Sequence, residues 1–247
     1  MNIEKEVKKL EEIECLLCCF KEKINDGLVR FTDPKLKDMY DHNYFYADRM
    51  DDEIFSICEK ISKDEGCNHI KIVLDFKSDY LINKGFEEEC DMTMLKIDDD
   101  YGTRFNDSLS FKNAVEDDIE QDIIDIDFKH YGKDYGDFCI RKDKRIIDAM
   151  KKNDGKFTFI AAYIDEKIVG FCSIVISDYV IGLDDLLVDE DHRHKLIATT
   201  LLKYIRTKYN KPIYLHADTL DTPKDMYFAL GFKEISREYN YLKIKGE

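Results

Sequence analysis

No apolar run among the 247 residues approaches the ~18 that a membrane-spanning helix needs, and the opening MNIEKEVKKLEEIE is too charged for a secretory leader. The expectation is a cytoplasmic protein with no membrane partner. Positive charge is also scarce: 38 lysines and arginines stand against 53 aspartates and glutamates, for a net charge of −15. That balance disfavours nucleic acid and favours a cationic small molecule. It would repel a polyanionic ligand too, so binding one needs a locally basic patch. Metal-type spacing is missing as well. Cys15, Cys18 and Cys19 lie together on one predicted helix, but no second Cys-x-x-Cys pair or spaced histidines complete a zinc set. Cys58, Cys67, Cys90, Cys139 and Cys172 are scattered. Reduced thiols packed as small apolar groups, and no metal, are the expectation.

What is present is the composition of a globular chain, 44% hydrophobic and 37% charged. One stretch organises the rest. Residues 183–188 read as a strand, an acidic turn follows, and the basic tripeptide Arg193-His194-Lys195 leads into a helix. Ile197, Ala198, Leu201, Leu202 and Ile205 recur on one face of that helix. A strand feeding a helix with a basic first turn suits an anion, because free backbone N–H groups and the positive end of the helix dipole meet there. A buried helix with a solvated basic end would read the same way.

The motifs that follow favour the anion site. With its flanks, this stretch reads Val188, Arg193, Leu196, Ala198, Leu201 and Leu202. That resembles the Val-x-x-x-x-Arg-x-x-Gly-x-Gly/Ala signature, followed by two leucines, of the GNAT family of acyl-CoA-dependent N-acyltransferases. The family's second signature, a tyrosine followed by Gly-Phe, is met by Tyr227, Gly231 and Phe232. The resemblance spans residues 111–244. It implies acetyl-CoA as co-substrate, held by the backbone of Leu187 and Val188 along its pantetheine arm. The loop Arg193, His194, Lys195, Leu196, Ile197, Ala198 and Thr199 would hold its phosphates. Two family glycines are absent: Leu196 replaces the first, and His194 stands where another is common. If position 196 is left-handed, leucine costs about 1–2 kcal/mol there.

The resemblance further implies a mixed, largely antiparallel sheet flanked by helices, an α/β fold of the α+β type. Attack on the thioester by the amine would be direct. Tyr227 would protonate the departing sulfur, or else simply pack ahead of Gly231-Phe232. A general base belongs on the strand before the loop, where Asp184 and Asp185 adjoin. Strand alternation puts them on opposite faces. Asp184 is preferred because it shares parity with Leu186 and Val188; either could be a solvated edge residue. The acceptor would be a small amine, the chain a monomer or homodimer. A non-catalytic acyl-CoA-binding or regulatory module on the same fold is the alternative, motivated by Leu196.

The N-terminal half looks like a truncated copy. Residues 51–62 read as a helix and HIKIVLD (69–75) as a strand, followed by Gly85-Phe86 and a run ending Leu95-Lys96-Ile97. The C-terminal end repeats that order, ending Leu242-Lys243-Ile244. Leu81 replaces Tyr227, and no basic loop precedes it, so this copy is expected to be silent in catalysis. The domains are therefore read as 1–98, a linker at 99–110, and 111–247. Residues 2–25 read as a single helix, KEISREYNYLKI as hairpin-like, and HYGKDYGDF as a loop between two helices. Tyr40, His42, Asn43, Tyr44 and Tyr46 either line a pocket or anchor their segment.

Overall fold

The computed structural model describes residues 2–153, 155–220 and 223–245. Its first helix, α1 (Ile3–Cys18), ends before the expected residue 25. Residues beyond it form β1 (Phe20–Asn25), which pairs antiparallel with β2 (Leu28–Thr32). The turn explains the correction. Asp26-Gly27 is a hairpin signal, and Gly27 sits at φ 91°, where a side chain would strain the backbone. A Cβ there would also fall 2.1 Å from the Asp48 carboxylate.

The chain divides into two compact units that are discontinuous in sequence, unlike the contiguous halves read from it. One comprises Cys18–Thr93, Ala217–Lys224 and Glu234–Glu247; the other Met1–Leu17, Met94–His216 and Asp225–Lys233. In the former, β2 continues the meander to β3 (Tyr44–Ala47), and α2 (Asp52–Asp64) carries the chain to β4 (His69–Leu74), parallel to β3. Asp51 caps α2 through its carboxylate, which accepts the Ile54 N–H at 2.9 Å. Next come the short α3 (Asp79–Asn83) and β5 (Glu87–Lys96). Phe45, Ile54, Cys58, Ile72, Leu74 and Leu81 are sealed in this unit's core. The aromatic segment anchors itself: Tyr44 stacks on Phe31, and the Tyr46 hydroxyl donates to Asp75 at 2.7 Å.

The other unit opens with β6 (Ser110–Asn113), then α4 (Glu120–Tyr135) and α5 (Asp137–Met150). No loop of HYGKDYGDF separates these helices. Helix α4 runs on to Tyr135, and Gly136 alone, at φ 58°, breaks the path. The antiparallel hairpin β7 (Phe157–Ile164) and β8 (Lys167–Ile176) follows as expected, then β9 (Ile181–Val188). Helix α6 (Ile197–Tyr209) returns the chain to β10 (Ile213–Asp218), parallel to β9. Strand order in this unit is β10-β9-β8-β7-β6. Then comes α7 (Pro223–Ala229), and the chain re-enters the Cys18–Thr93 unit in β11 (Lys233–Ile244), one unbroken strand rather than a hairpin, antiparallel to β4.

The internal repeat is therefore longer than the sequence suggested. Each unit has a three-strand meander, a helix, a parallel strand, a short helix and a Gly-Phe pair. The ends of the two short helices match bond for bond. Gly85 (φ 79°) and Gly231 (φ 85°) each follow the helix, and each N–H meets a carbonyl three residues back. Phe86 donates to the Leu81 carbonyl at 3.1 Å, and Phe232 to the Tyr227 carbonyl at 3.0 Å. Both phenylalanines are buried. A left-handed glycine closing a helix, with an apolar residue behind it, is the physical content of that motif.

Candidate active site

Strand β9 is irregular where its two aspartates lie. Ser173 of β8 faces Asp184 and Phe171 faces Leu187, so Asp185 and Leu186 together oppose the single residue Cys172. This is a β-bulge, and Asp185 carries it at φ 50°. Parallel pairing joins Ile213–Leu215 of β10 to Ile181–Leu183 of β9; the bulge and the segment to Val188 lie beyond it. The backbone of Leu187 and Val188 is thus placed past the paired stretch. Simple alternation does not govern the two carboxylates, because the bulge turns the chain between them.

The Asp185 carboxylate lies 3.7 Å from Lys142 Nζ on α5. Asp127 of α4 and Asp143 of α5 are each 3.6 Å from the same ammonium. Burial works against the lysine's charge, but Asp185, Asp127 and Asp143 hold its pKa above the ordinary value. Burial pushes Asp143 up to about 7, with Lys142 opposing. Burial likewise raises Asp127.

Asp184 adds its charge to Lys142 as well, and it acts on a second group. Its charge reaches Glu14 of α1, whose carboxylate accepts the Tyr214 hydroxyl at 3.0 Å. Burial first and Asp184 second raise Glu14 to about 8. Two residues along β10, His216 Nε2 lies 3.5 Å from Glu11 of α1. Burial lowers the His216 pKa, against the pull of Glu11. The Tyr214 phenol is held well above its usual value by burial and then by Glu14, so it stays a donor. Gly182, the register partner of Tyr214, leaves room for this ring: a Cβ would lie 2.6 Å from the hydroxyl. Glu14, Tyr214 and His216 escaped the sequence reading, since nothing in α1's periodicity says that its polar side meets β10.

Past β9, Asp189 is 1% exposed and takes Lys129 of α4 at 2.7 Å. A 3-10 turn at Glu190–His192 leads to Arg193, His194, Lys195 and Leu196. His194 (φ 62°) and Leu196 (φ 60°) are both left-handed, the conformation that glycine adopts most readily. At position 196 the leucine bears the strain of that conformation. About a third of the Leu196 surface is exposed (36%). Ile197 is buried on Ala162 and Val169 and pins the start of α6; Val188 packs against that cluster. Ala198 and Thr199 are half-buried. The helix's first internal bond runs from Thr200 N to the Leu196 carbonyl, so the N–H groups of Ile197, Ala198 and Thr199 precede it. Asn106, in the segment read as a linker, clasps this loop: its amide donates to Lys195 O and its N–H to Thr200 Oγ1, both at 3.0 Å. Left-handed residues flanking Lys195, ahead of free helix N–H groups, fit a phosphate.

A test of the strain is Leu196→Gly. Glycine removes about 1–2 kcal/mol of left-handed cost and loses part of that to unfolded-chain entropy. The variant is expected to gain about 1 kcal/mol in urea denaturation; no gain would show that neighbouring contacts offset the strain.

Tyr227 is buried on α7, its ring edge-on to Phe232 with centroids 5.6 Å apart. Packing ahead of Gly231-Phe232 is thus part of its role, whatever chemistry its hydroxyl serves.

Comparison with known proteins agrees with this geometry. Residues 155–234 match the model of the acetyltransferase (GNAT) domain. No curated protein matches the chain. Among solved structures, a functionally unknown conserved protein from Staphylococcus epidermidis is 18% identical, with a TM-score of 0.76, covering 93% of this chain and 95% of that one. A GCN5-related N-acetyltransferase from Kribbella flavida is 12% identical, with a TM-score of 0.71 and coverage of 100% and 97%. A tandem GNAT protein from the clavulanic acid biosynthesis pathway is 10% identical, with a TM-score of 0.55 and coverage of 90% and 80%. Residues 155–234 are thus similar to the GNAT acetyltransferase domain, and the chain as a whole has the fold of tandem GNAT proteins.

Proposed function

We propose that the protein transfers an acetyl group from acetyl-CoA to the primary amine of a small, cationic acceptor by direct attack. The observation that carries this reading is Glu14, a carboxyl raised to about 8 beside Asp184 and bonded to Tyr214. An amine must lose a proton to become a nucleophile, and a base that titrates near neutrality suits that step. Acetyl-CoA would supply the thioester whose C–S bond breaks as the C–N bond forms.

The residues divide the remaining work. The 193–199 loop and the first turn of α6 bind phosphate, and the Leu187–Val188 backbone aligns the pantetheine arm. Glu14 takes the ammonium proton, directly or through one water, with Asp184 keeping its affinity for that proton high. Tyr227 returns a proton to the sulfur. Asp127, Asp143 and Asp185 outnumber Lys142 and bias the neighbourhood toward a cation.

Release of CoA thiol across a panel of small amines tests the activity; binding of acetyl-CoA without release for any amine would favour a non-catalytic acyl-CoA sensor. Tyr227→Phe separates the roles of that residue. As a general acid its loss lowers kcat about 100-fold or more, with acetyl-CoA affinity unchanged by calorimetry. An unaltered kcat would leave Tyr227 with packing alone.

A further inference from the structure

The loop between β2 and β3 brings together side chains that sequence spacing kept apart. Cys18 closes α1, Asp33 follows β2, and His42 ends a 3-10 turn at Tyr40–His42. Their Sγ, carboxylate and imidazole donor atoms all lie within 4.8 Å of one another. His42 Nδ1 is 3.1 Å from Asp33 Oδ2. Cys18 and Asp33 are buried, and Cys18 is in no disulfide. The His42 side chain keeps 14% exposure, enough to admit solvent at one edge.

We propose that Cys18, Asp33 and His42 form a binding site for a divalent transition metal, zinc first, in the unit that holds Cys18–Thr93. The donor set argues for the ion: one thiolate, one imidazole and one carboxylate are the mixed soft and borderline ligands that zinc accepts. Tetrahedral zinc with bonds of about 2.0–2.3 Å sets its donors roughly 3.3–3.7 Å apart. The His42–Asp33 separation is already near that, and the remaining closure lies within ordinary side-chain torsions. A thiolate and a carboxylate neutralise the dication, so its burial carries little net charge. Water at the exposed edge of His42 supplies the fourth position.

The surroundings fix the ligands. Asp33 Oδ1 accepts the Lys35 N–H at 3.1 Å, which leaves Oδ2 turned to His42. Asn43, 2% exposed, accepts the Asp33 N–H at 3.0 Å and donates to the carbonyls of Leu36 and Met39, each at 2.9 Å. Cys19 Sγ lies 3.4 Å from the His42 carbonyl oxygen. Such outer bonds hold a ligand's orientation before the ion arrives. The site's role would be to clamp the 33–43 loop to the start of β1. An ion held here would revise the expectation of a metal-free chain, which rested on cysteine and histidine spacing.

Cobalt titration of the reduced, full-length chain tests it. One equivalent is expected to bind with a thiolate-to-cobalt charge-transfer band in the near ultraviolet and intense visible bands of four-coordination. Cys18→Ser abolishes the charge-transfer band, His42→Ala weakens binding more than about tenfold, and Cys90→Ser changes nothing. Zinc displaces the cobalt and slows proteolysis in the 33–43 loop of the wild type, a readout that needs no variant to fold. Absence of a charge-transfer band in the wild type overturns the proposal. So does a band that survives in Cys18→Ser, since another cysteine would then be the ligand.

Discussion

Glu14→Gln is expected to remove a limb near pH 8 from the kcat/KM profile and to lower the plateau rate about 10²–10⁴-fold. Burial and the charge of Asp184 keep the Glu14 carboxyl protonated to about pH 8. As a base it acts only once ionised, so the wild-type rate climbs as pH rises through that value. Glutamine keeps the Tyr214 contact and cannot take a proton. A variant with an unchanged limb would move the base to another group, with Asp184 next in line.

The same residue has an independent signature in stability. Folded Glu14 holds its proton to about pH 8, whereas the unfolded carboxyl releases it near its ordinary 4.5. Between those values the folded state binds more protons, so the group weakens the fold as pH rises through the window. Glu14→Gln removes that slope. Allowing for the partial solvent access of the side chain, its gain over wild type between pH 5 and pH 9 is about 2 kcal/mol in urea denaturation. A raised carboxyl with no catalytic role would show this gain without the rate loss.

The second large effect is expected at Lys142. Its side chain is 14% exposed and shared by Asp127, Asp143 and Asp185. Lys142→Ala strands those carboxylates, and breaking a buried pair from one side costs about 3–5 kcal/mol. The loss depends on pH with a definite sign. Burial already lifts folded Asp143 to about 7, and removing Lys142 lifts it further. Folded Asp143 therefore binds more protons than the unfolded chain above its ordinary 3.8, and acidification restores stability across that interval. Urea midpoints at pH 5.5 and pH 8 measure it: the deficit is largest at pH 8. An equal deficit at both would assign the loss to the packing of the lysine stem, which Lys142→Met would then rescue.

What the sequence determined alone was local or periodic. The β7–β8 hairpin, the apolar face of α6 and the basic turn before it depend on neighbours within a few residues, so they were legible. So was the Gly-Phe echo between the halves, because a left-handed helix end asks for glycine in both. Even the β1–β2 hairpin was announced by Asp26-Gly27, a signal outweighed by the helical stripe upstream. Tertiary structure decided the rest. Asp184 and Asp185 are adjacent in sequence, yet at a bulge opposite Cys172 it is Asp185 that lies 3.7 Å from Lys142, while Asp184 is the stronger of the two charges on Glu14. Glu14 is one polar position on an amphipathic helix until Tyr214 and Asp184 meet it, and the burial that raises its pKa is a property of packing. Cys18, Asp33 and His42 share no spacing rule; two strands and a turn bring them within 4.8 Å. Local propensity is written in adjacent residues, whereas proton affinity and ligand geometry depend on groups that only the folded chain makes neighbours.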